Sequence, residues 1–204
     1  MAIRNTRNWN TGANLDRWFP DVIGFYMNIN HKSYEQKLVD RFDELKSKNK
    51  ESTQNHWISN VYNTSFDLLN DEVFKDISNF QQKSVEQYVD QTQMYYEDKV
   101  YNPKLSSSWI NDYQVGDFQE YHTHQSIIST IYFITGEETD ARVIFQSLNY
   151  ESYPISYDTD CRPVGRAFYT PLAGKLLVFR SHLQHSVEQK KNNSRRLTLA
   201  SNYT

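Results

Sequence analysis

The feature that most constrains the fold of this chain is a change of pattern near residue 108. Helical periodicity ends before this point, and from there short β-like runs bounded by turn residues follow one another to the carboxy terminus. The predicted strands are 108–114, 118–123, 127–134, 141–147, 175–180, 186–189 and 195–203. Because no long helical pattern separates them, these strands are expected to pair in antiparallel sheets that form a β-barrel or sandwich.

The first hundred residues are organised around two amphipathic helices. Ser33 and Gln36 form a capping-box pattern, and apolar residues then recur at helical spacing, which predicts a helix over about 33–48. A second helix is predicted from a cap at Asn70 to about Gln93. We therefore expect a mainly β fold with the amino-terminal α-helices packed outside it.

The length of 204 residues suits a single domain over residues 1–204, large enough to bury a core. Within it we expect a helical support region at 1–105 and a β-rich core at 106–204. The segment 149–170 is rich in Tyr, Asp and Pro, and it predicts a long loop or irregular hairpin that helps to shape a binding pocket.

Composition excludes several classes of function. The formal net charge of −3 provides no basic field for nucleic acid, so a nucleic-acid partner is not expected. A single cysteine, Cys161, excludes an internal disulfide framework and favours a reducing compartment. The amino terminus has no apolar signal region and no run has transmembrane length, so we expect a cytoplasmic protein without a membrane partner.

The histidines suggest a metal site. His122 and His124 are two residues apart at a predicted strand end, and side chains at that spacing point to the same face of an extended backbone. A third imidazole from another strand would complete a facial set that leaves coordination positions open for chemistry. His185 is the favoured third ligand because Ser186 and Val187 continue as a strand. His182 lies in the preceding turn, where an ordinary polar loop residue is the simpler interpretation and a place beside the cleft is the alternative.

The last predicted strand adds a candidate anion site. Alternation places Arg196 and Thr198 on one face, and a guanidinium inside a barrel requires an anionic partner such as a carboxylate, which it can bind through two parallel hydrogen bonds. The Thr198 hydroxyl can contact the same group. Arg195 points the other way and is expected to form a surface salt bridge.

Together these motifs resemble the iron(II)/2-oxoglutarate-dependent oxygenases, and in particular a small "putative 2OG-Fe(II) oxygenase" family carried by phages and bacteria. The resemblance also includes 18–20 and the two helices, so it spans most of the chain. Each motif alone is weak, whereas their order is specific. In chain order they are Tyr113-x-x-Gly116, His122-x-His124, Ser129-Thr-Ile-Tyr-Phe133, Gly174-Lys-Leu-Leu-Val-Phe179, His185-Ser-Val and Arg196-Leu-Thr.

This resemblance implies a double-stranded β-helix, or jelly roll, with iron(II) at one end of the barrel. It implies that His122 and His185 are metal ligands and that Arg196 binds the distal carboxylate of the co-substrate 2-oxoglutarate. The hydroxyl groups expected to assist Arg196 belong to Thr198, Tyr113 and Tyr132.

The chain departs from the usual pattern at His124, where most members of the wider superfamily have Asp or Glu. A neutral imidazole leaves iron(II) with about one more unit of uncompensated positive charge, which favours an anionic co-substrate. The sequence leaves two alternatives open: His124 completes a three-histidine site, or it does not bind the metal.

The function that the resemblance implies is a dioxygenase that couples decarboxylation of 2-oxoglutarate to hydroxylation of a small-molecule or peptidyl substrate, with dioxygen as the oxidant. One alternative is a three-histidine metal dioxygenase that does not use 2-oxoglutarate. The other is a non-catalytic jelly-roll binding module with a structural zinc or with no metal, and for a closed zinc site His182 is the candidate fourth ligand. If phage-encoded, the protein would act in the host cytoplasm. The substrate and the oligomeric state are not predicted.

Overall fold

A computed structural model of the chain describes residues 14–18, 21–49, 58–64, 68, 71–92, 94–96, 99–146 and 165–204. Cys161, the predicted cap Asn70 and most of the predicted loop 149–170 lie outside these ranges. The described residues form thirteen strands and two α-helices. The helices are α1 (Glu35–Lys48) and α2 (Lys75–Thr92). The strands are β1 (Asn14–Trp18), β2 (Asp21–Met27), β3 (Tyr62–Asn63), β4 (Tyr95–Tyr96), β5 (Lys99–Val100), β6 (Leu105–Tyr113), β7 (Gln119–His122), β8 (Ile128–Phe133), β9 (Val143–Gln146), β10 (Arg166–Tyr169), β11 (Lys175–Arg180), β12 (Gln184–Val187) and β13 (Arg196–Tyr203).

Two antiparallel sheets make up the body of the molecule. The major sheet has seven strands in the order β1-β2-β11-β8-β13-β6-β3, and the minor sheet has four in the order β10-β9-β12-β7. Their inner faces share one apolar cluster, in which Phe145 of the minor sheet and Phe179 of the major sheet have ring centroids 4.8 Å apart. This pair of facing sheets with crossing connections is the expected jelly-roll-like arrangement. Each of the seven predicted strands overlaps an observed one.

Both faces of the major sheet are buried. Successive side chains of β13 point alternately to the helices and to the space between the two sheets. Leu197 and Leu199 join a second apolar cluster with residues of α1 and α2, whereas Arg196 and Thr198 line the space between the sheets. The helices therefore cover the outer face of the major sheet, where a hydrogen bond from the Tyr88 hydroxyl to the Val22 carbonyl oxygen (2.8 Å) ties α2 to β2.

The amino-terminal region differs from the prediction in two respects. It contributes β1 and β2 to the major sheet, because β2 pairs with β11 as well as with β1. In addition, Ser33 does not cap α1. That residue lies in a short 3₁₀ helix and its hydroxyl donates to the Asn30 carbonyl oxygen, so α1 begins two residues later, at Glu35.

The second helix also starts differently from the prediction. The Asp71 carboxylate accepts a hydrogen bond from the Val73 amide and caps a 3₁₀ turn that leads into α2.

Within the described part of the chain, no helix has both the length and the apolar character needed to cross a membrane.

Candidate active site

A cavity of about 430 Å³ lies between the two sheets. Strands β6 and β13 form one wall, and β7 and β12 form the other. Among the described residues that line it, none is Asp or Glu. The lining residues are Ser107, Trp109, Asn111, Tyr113, Gln119, His122, Thr123, His124, Ile131, Val143, His185, Val187, Arg196, Thr198, Ala200 and Asn202.

Three histidines converge on this cavity. His122 ends β7, His124 follows it, and His185 on β12 is the direct cross-strand partner of His122. One ring nitrogen from each residue lies within 4.8 Å of the others, and the Nε2 atoms of His124 and His185 are 3.2 Å apart. Two nitrogens bound to one ion at about 2.1 Å lie about 3.0–3.4 Å apart in octahedral or tetrahedral geometry, so the spacing fits a shared metal ion.

Backbone carbonyl groups orient two of these rings. The Nδ1 atom of His122 lies 2.7 Å from the Glu120 carbonyl oxygen, and that of His185 lies 3.0 Å from the Leu183 carbonyl oxygen. A ring nitrogen that donates to a carbonyl leaves the opposite nitrogen, Nε2, with a lone pair for a metal. This hydrogen bonding therefore presets the tautomer that a metal ligand needs.

Burial keeps the imidazoles of His124 and His185 neutral. Desolvation, helped by the neighbouring His122, lowers the pKa of His124 to about 4. Desolvation together with His122 and His124 lowers the pKa of the fully enclosed His185 well below its ordinary value. These two residues thus offer unprotonated nitrogen ligands at neutral pH.

His182 takes no part in this group. Its side chain is 63% exposed, and its Nε2 lies 3.4 Å from an oxygen of Asp21. The cavity lining does not include it. The described residues therefore provide no fourth His, Cys, Asp or Glu ligand that would close this site around a metal ion.

Arg196 is completely buried in the cavity wall with most of its hydrogen-bonding capacity unused. Its Nη1 donates to the Ala141 carbonyl oxygen, while Nε and Nη2 have no partner among the described residues. The guanidinium carbon lies 4.7 Å from the centre of the Tyr113 ring. Burial lowers the pKa of Arg196, yet a guanidinium remains charged at neutral pH. Two unpaired N–H groups on one edge of a buried cation form a site for a carboxylate.

Polar side chains surround this arginine. The Tyr113 hydroxyl donates to Gln119 Oε1 (2.6 Å), and Asn111 Nδ2 lies 3.3 Å from Thr198 Oγ1. Burial raises the pKa of Tyr113 to about 12, so it stays protonated and able to donate. The structure thus places Tyr113 and Thr198 beside Arg196. Asn111 and Gln119 were not predicted, although alternation along β6 places Asn111 on the same face as Tyr113.

The prediction that Tyr132 belongs to this pocket is wrong. On β8 the side chains of Ile131 and Phe133 face the space between the sheets, so Tyr132 faces the helices. Its hydroxyl lies 2.7 Å from Nδ1 of the buried His31. The motif that includes this tyrosine identified the strand but not the face.

The neighbouring arginine behaves as the alternation predicts. Arg195 points out of the barrel and pairs with Asp43 of α1, with both side chains substantially exposed. Lys190, five residues earlier in the chain, is by contrast buried, and its Nζ lies 3.0 Å from Asp140 Oδ2.

Solved structures define the class of this fold. A prolyl-4-hydroxylase from Pseudomonas putida is 13% identical, with a TM-score of 0.61, and the match covers 88% of this chain and 91% of that one. The α-ketoglutarate-dependent epimerase SnoN from nogalamycin biosynthesis is 12% identical, with a TM-score of 0.64 and coverages of 92% and 80%. HygX from Streptomyces hygroscopicus, solved with nickel and 2-oxoglutarate, is 9% identical, with a TM-score of 0.61 and coverages of 89% and 81%. The chain therefore has the fold of the non-haem 2-oxoglutarate oxygenases.

A family model matches the barrel. Residues 107–202, which contain all the cavity-lining positions, match the model of the family described as "Putative 2OG-Fe(II) oxygenase". The predicted resemblance to the 2OG-Fe(II) oxygenases is thus confirmed. A comparison with curated proteins finds no match.

Proposed function

We propose that this protein is an iron(II)- and 2-oxoglutarate-dependent dioxygenase that hydroxylates its substrate. The observation that carries the proposal is the combination of three convergent imidazoles with a buried arginine whose Nε and Nη2 have no partner. In this proposal residues 106–204 carry the chemistry and residues 1–105 are a support region, whose helices α1 and α2 cover the outer face of the major sheet.

The ligand set proposed for iron(II) is His122, His124 and His185. Imidazole nitrogens are suitable ligands for iron, and three of them on one side leave the remaining coordination positions open. The backbone carbonyl groups behind His122 and His185 hold both rings with Nε2 directed away from the strands. Metal binding would therefore require little rearrangement of these two side chains.

Arg196 is proposed to bind the distal carboxylate of 2-oxoglutarate. Its free edge supplies two parallel N–H donors, which match the two oxygens of a carboxylate. The hydroxyl groups of Thr198 and Tyr113 lie in the same part of the lining. A dicarboxylate anchored there satisfies a buried charge that has no acidic partner in the described lining.

Iron and 2-oxoglutarate, when bound, supply the activation of dioxygen, coupled to decarboxylation of 2-oxoglutarate to succinate. The residues of this chain orient both groups and exclude water, since Val143, Val187 and Ile131 line the same cavity. His124 contributes no negative charge, in contrast to the carboxylate of the usual triad. The loaded site is therefore more cationic, and we expect it to hold the dianionic 2-oxoglutarate more firmly.

Anaerobic titration of the metal-free protein with iron(II) and then 2-oxoglutarate tests the proposal. We expect a weak visible charge-transfer band to develop with one equivalent of each. In a His124→Ala variant the band should be lost or require far higher iron concentrations. His182→Ala is the matched control, because this histidine lies outside the cavity, and it should titrate like the wild type. No band in the wild-type protein would refute the assignment.

The neutral triad favours one alternative, a three-histidine dioxygenase that does not use 2-oxoglutarate. Consumption of dioxygen with full substrate turnover in the absence of 2-oxoglutarate would support that alternative. A structural zinc module has less support, because the described residues provide no fourth ligand. Stoichiometric zinc that chelators remove only on unfolding would support it.

A further inference from the structure

The cavity has two ends of opposite character, fixed by the pairing of β13 with β6. Arg196 lies opposite Tyr113 at one end of the ladder, and Asn202 lies opposite Ser107 at the other. Six residues of strand separate the two ends, or about 20 Å. Arg196 and Tyr113 are buried, whereas Asn202 and Ser107 are partly exposed. A co-substrate held by Arg196 would occupy the closed end, so a second reactant has to enter from the open end.

Trp109 connects the open end with the histidines. It pairs with Ala200 in the same ladder, so a small side chain lies beside the indole and leaves its surroundings open. The ring centroids of Trp109 and His124 are 5.5 Å apart, with an interplanar angle of 34°. Trp109 is partly exposed, and its indole N–H has no acceptor among the described residues. A group packed on this indole would therefore lie next to a proposed metal ligand.

The other polar groups at this end are also hydrogen-bond donors. The Ser129 hydroxyl donates to Asn202 Oδ1 (2.9 Å), which fixes the orientation of the amide. The amide nitrogen Nδ2 then lies 3.3 Å from Ser107 Oγ, which accepts. The second N–H of Asn202 and the hydroxyl hydrogen of Ser107 remain available to a ligand.

None of the described residues that line this end of the cavity carries a charged side chain. The lining contains no carboxylate to pair with an ammonium group, and its one lysine or arginine side chain among the described residues is Arg196, at the closed end. Desolvation of an ion without a partner is costly, whereas a neutral acceptor gains hydrogen bonds without that cost.

We infer that Trp109, Asn202 and Ser107 bind the prime substrate through an uncharged carbonyl group. This inference rests on the proposed function, because it places the substrate relative to a co-substrate at Arg196. The flat face of an amide packs against the indole, and its oxygen accepts hydrogen bonds from the donors at the open end. Small-molecule amides and the backbone of a peptide both carry such an uncharged carbonyl group.

Proton–nitrogen NMR of the tryptophan indole groups tests the inference directly. The protein is loaded with zinc(II), a redox-inert ion, and with 2-oxoglutarate, and the Trp109 signal is assigned by its loss in Trp109→Phe. N-acetyl amino-acid N-methylamides are titrated first, followed by carboxylate and amine analogues of the same size. We expect the neutral amides to shift the Trp109 signal and the charged analogues to bind at least about tenfold more weakly.

Substitution of Asn202 by a charged residue provides a second test. Asn202→Asp replaces the donor by an anionic acceptor of the same shape, so neutral amides should bind about fivefold to tenfold more weakly and the amine analogue more tightly. Asn193→Asp makes the same change at an exposed position outside the cavity and should leave both affinities unchanged. A blocked tetrapeptide that binds at least about tenfold more tightly than the single amide would assign the carbonyl to a peptide, and equal binding would assign it to a small molecule.

Two results would overturn the inference: a Trp109 signal that no neutral amide shifts, or one that charged analogues shift equally well. The proposed function fails separately, if 2-oxoglutarate does not bind the zinc-loaded protein or binds an Arg196→Met variant equally well. The indole signal reports amide contact independently of 2-oxoglutarate binding, so failure of the inference can be distinguished from failure of the proposed function.

Discussion

The Nε2 atoms of His124 and His185 lie 3.2 Å apart although the two residues are 61 positions apart in the chain. Cross-strand pairing produces this proximity, since β7 and β12 are neighbours and His122 pairs with His185 directly. The amide of His124 also donates to the Ser181 carbonyl oxygen (2.9 Å), which holds the segment after β7 against the start of the β11–β12 turn. The fold itself therefore assembles the candidate metal site.

Removal of one imidazole should abolish tight metal binding. We expect His185→Ala to weaken the affinity for iron(II) by at least about 100-fold, because two ligands remain and a buried hole replaces the third. The matched substitution His182→Ala should change the affinity less than about twofold, since that residue is exposed beside Asp21. Anaerobic calorimetry measures both, and equal effects in the two variants would contradict the ligand assignment.

Substitution of the buried arginine should separate co-substrate binding from folding. Arg196→Met removes two charge-assisted hydrogen bonds to a carboxylate and should weaken 2-oxoglutarate binding by about 100-fold or more, with almost complete loss of turnover. Arg195→Met removes only an exposed ion pair with Asp43 and should lower stability by less than about 1 kcal/mol. Retained 2-oxoglutarate turnover in Arg196→Met would contradict the role of this residue.

The histidine site should make the metal-free protein sensitive to mild acid. The folded-state pKa of His124 is lowered to about 4, and that of His185 lies well below its ordinary value, whereas both titrate near 6.5 when unfolded. The unfolded state therefore binds more protons as the pH falls from about 6.5 towards 4, and stability decreases over that window by about 2–3 kcal/mol for His124, with a further decrease from His185. Urea unfolding at several pH values measures this slope, which should be shallower in His124→Ala. A stability independent of pH in this range would contradict it.

The buried ion pair of Lys190 and Asp140 should stabilise the folded state. Both side chains are at most 2% exposed, and Ser194 and Asn192 complete the hydrogen bonds of the pair. Lys190→Met leaves a buried carboxylate without its cation and should cost about 3–5 kcal/mol of unfolding free energy. The same substitution at the exposed Lys75, which pairs with Glu72, should cost less than about 0.5 kcal/mol. Denaturant titration compares the two, and equal losses would refute the distinction.

Loss of the Tyr132 hydroxyl should affect stability without affecting the site. Tyr132→Phe removes the hydrogen bond to His31 on the helix side of the sheet and should cost about 1 kcal/mol. Its affinity for 2-oxoglutarate should equal that of the wild type, because the cavity lining does not include Tyr132. Tyr113→Phe is the contrasting variant beside Arg196 and should weaken 2-oxoglutarate binding by about fivefold.

The sequence predicted the strands of the barrel well because their signals are local. Alternation and turn residues define β6 to β9 and β11 to β13, and 175–180 was predicted with the observed ends. By contrast, β1 and β2 were missed, since their strand character depends on pairing of β2 with β11, far away in the chain. The cap of α1 was misplaced because Ser33 instead bonds to the Asn30 carbonyl.

By itself, the sequence determined the kind of site: two histidines on one strand face, a third on a later strand, and an arginine alternating into a barrel. Tertiary structure alone decided which side chains share that space. It turned Tyr132 to the helices, buried Lys190 against Asp140, and brought Asn111 and Gln119 into the pocket beside Arg196. The reason is physical: a period of two specifies which residues share a face, but only the packing of one sheet against another and against helices specifies what that face meets.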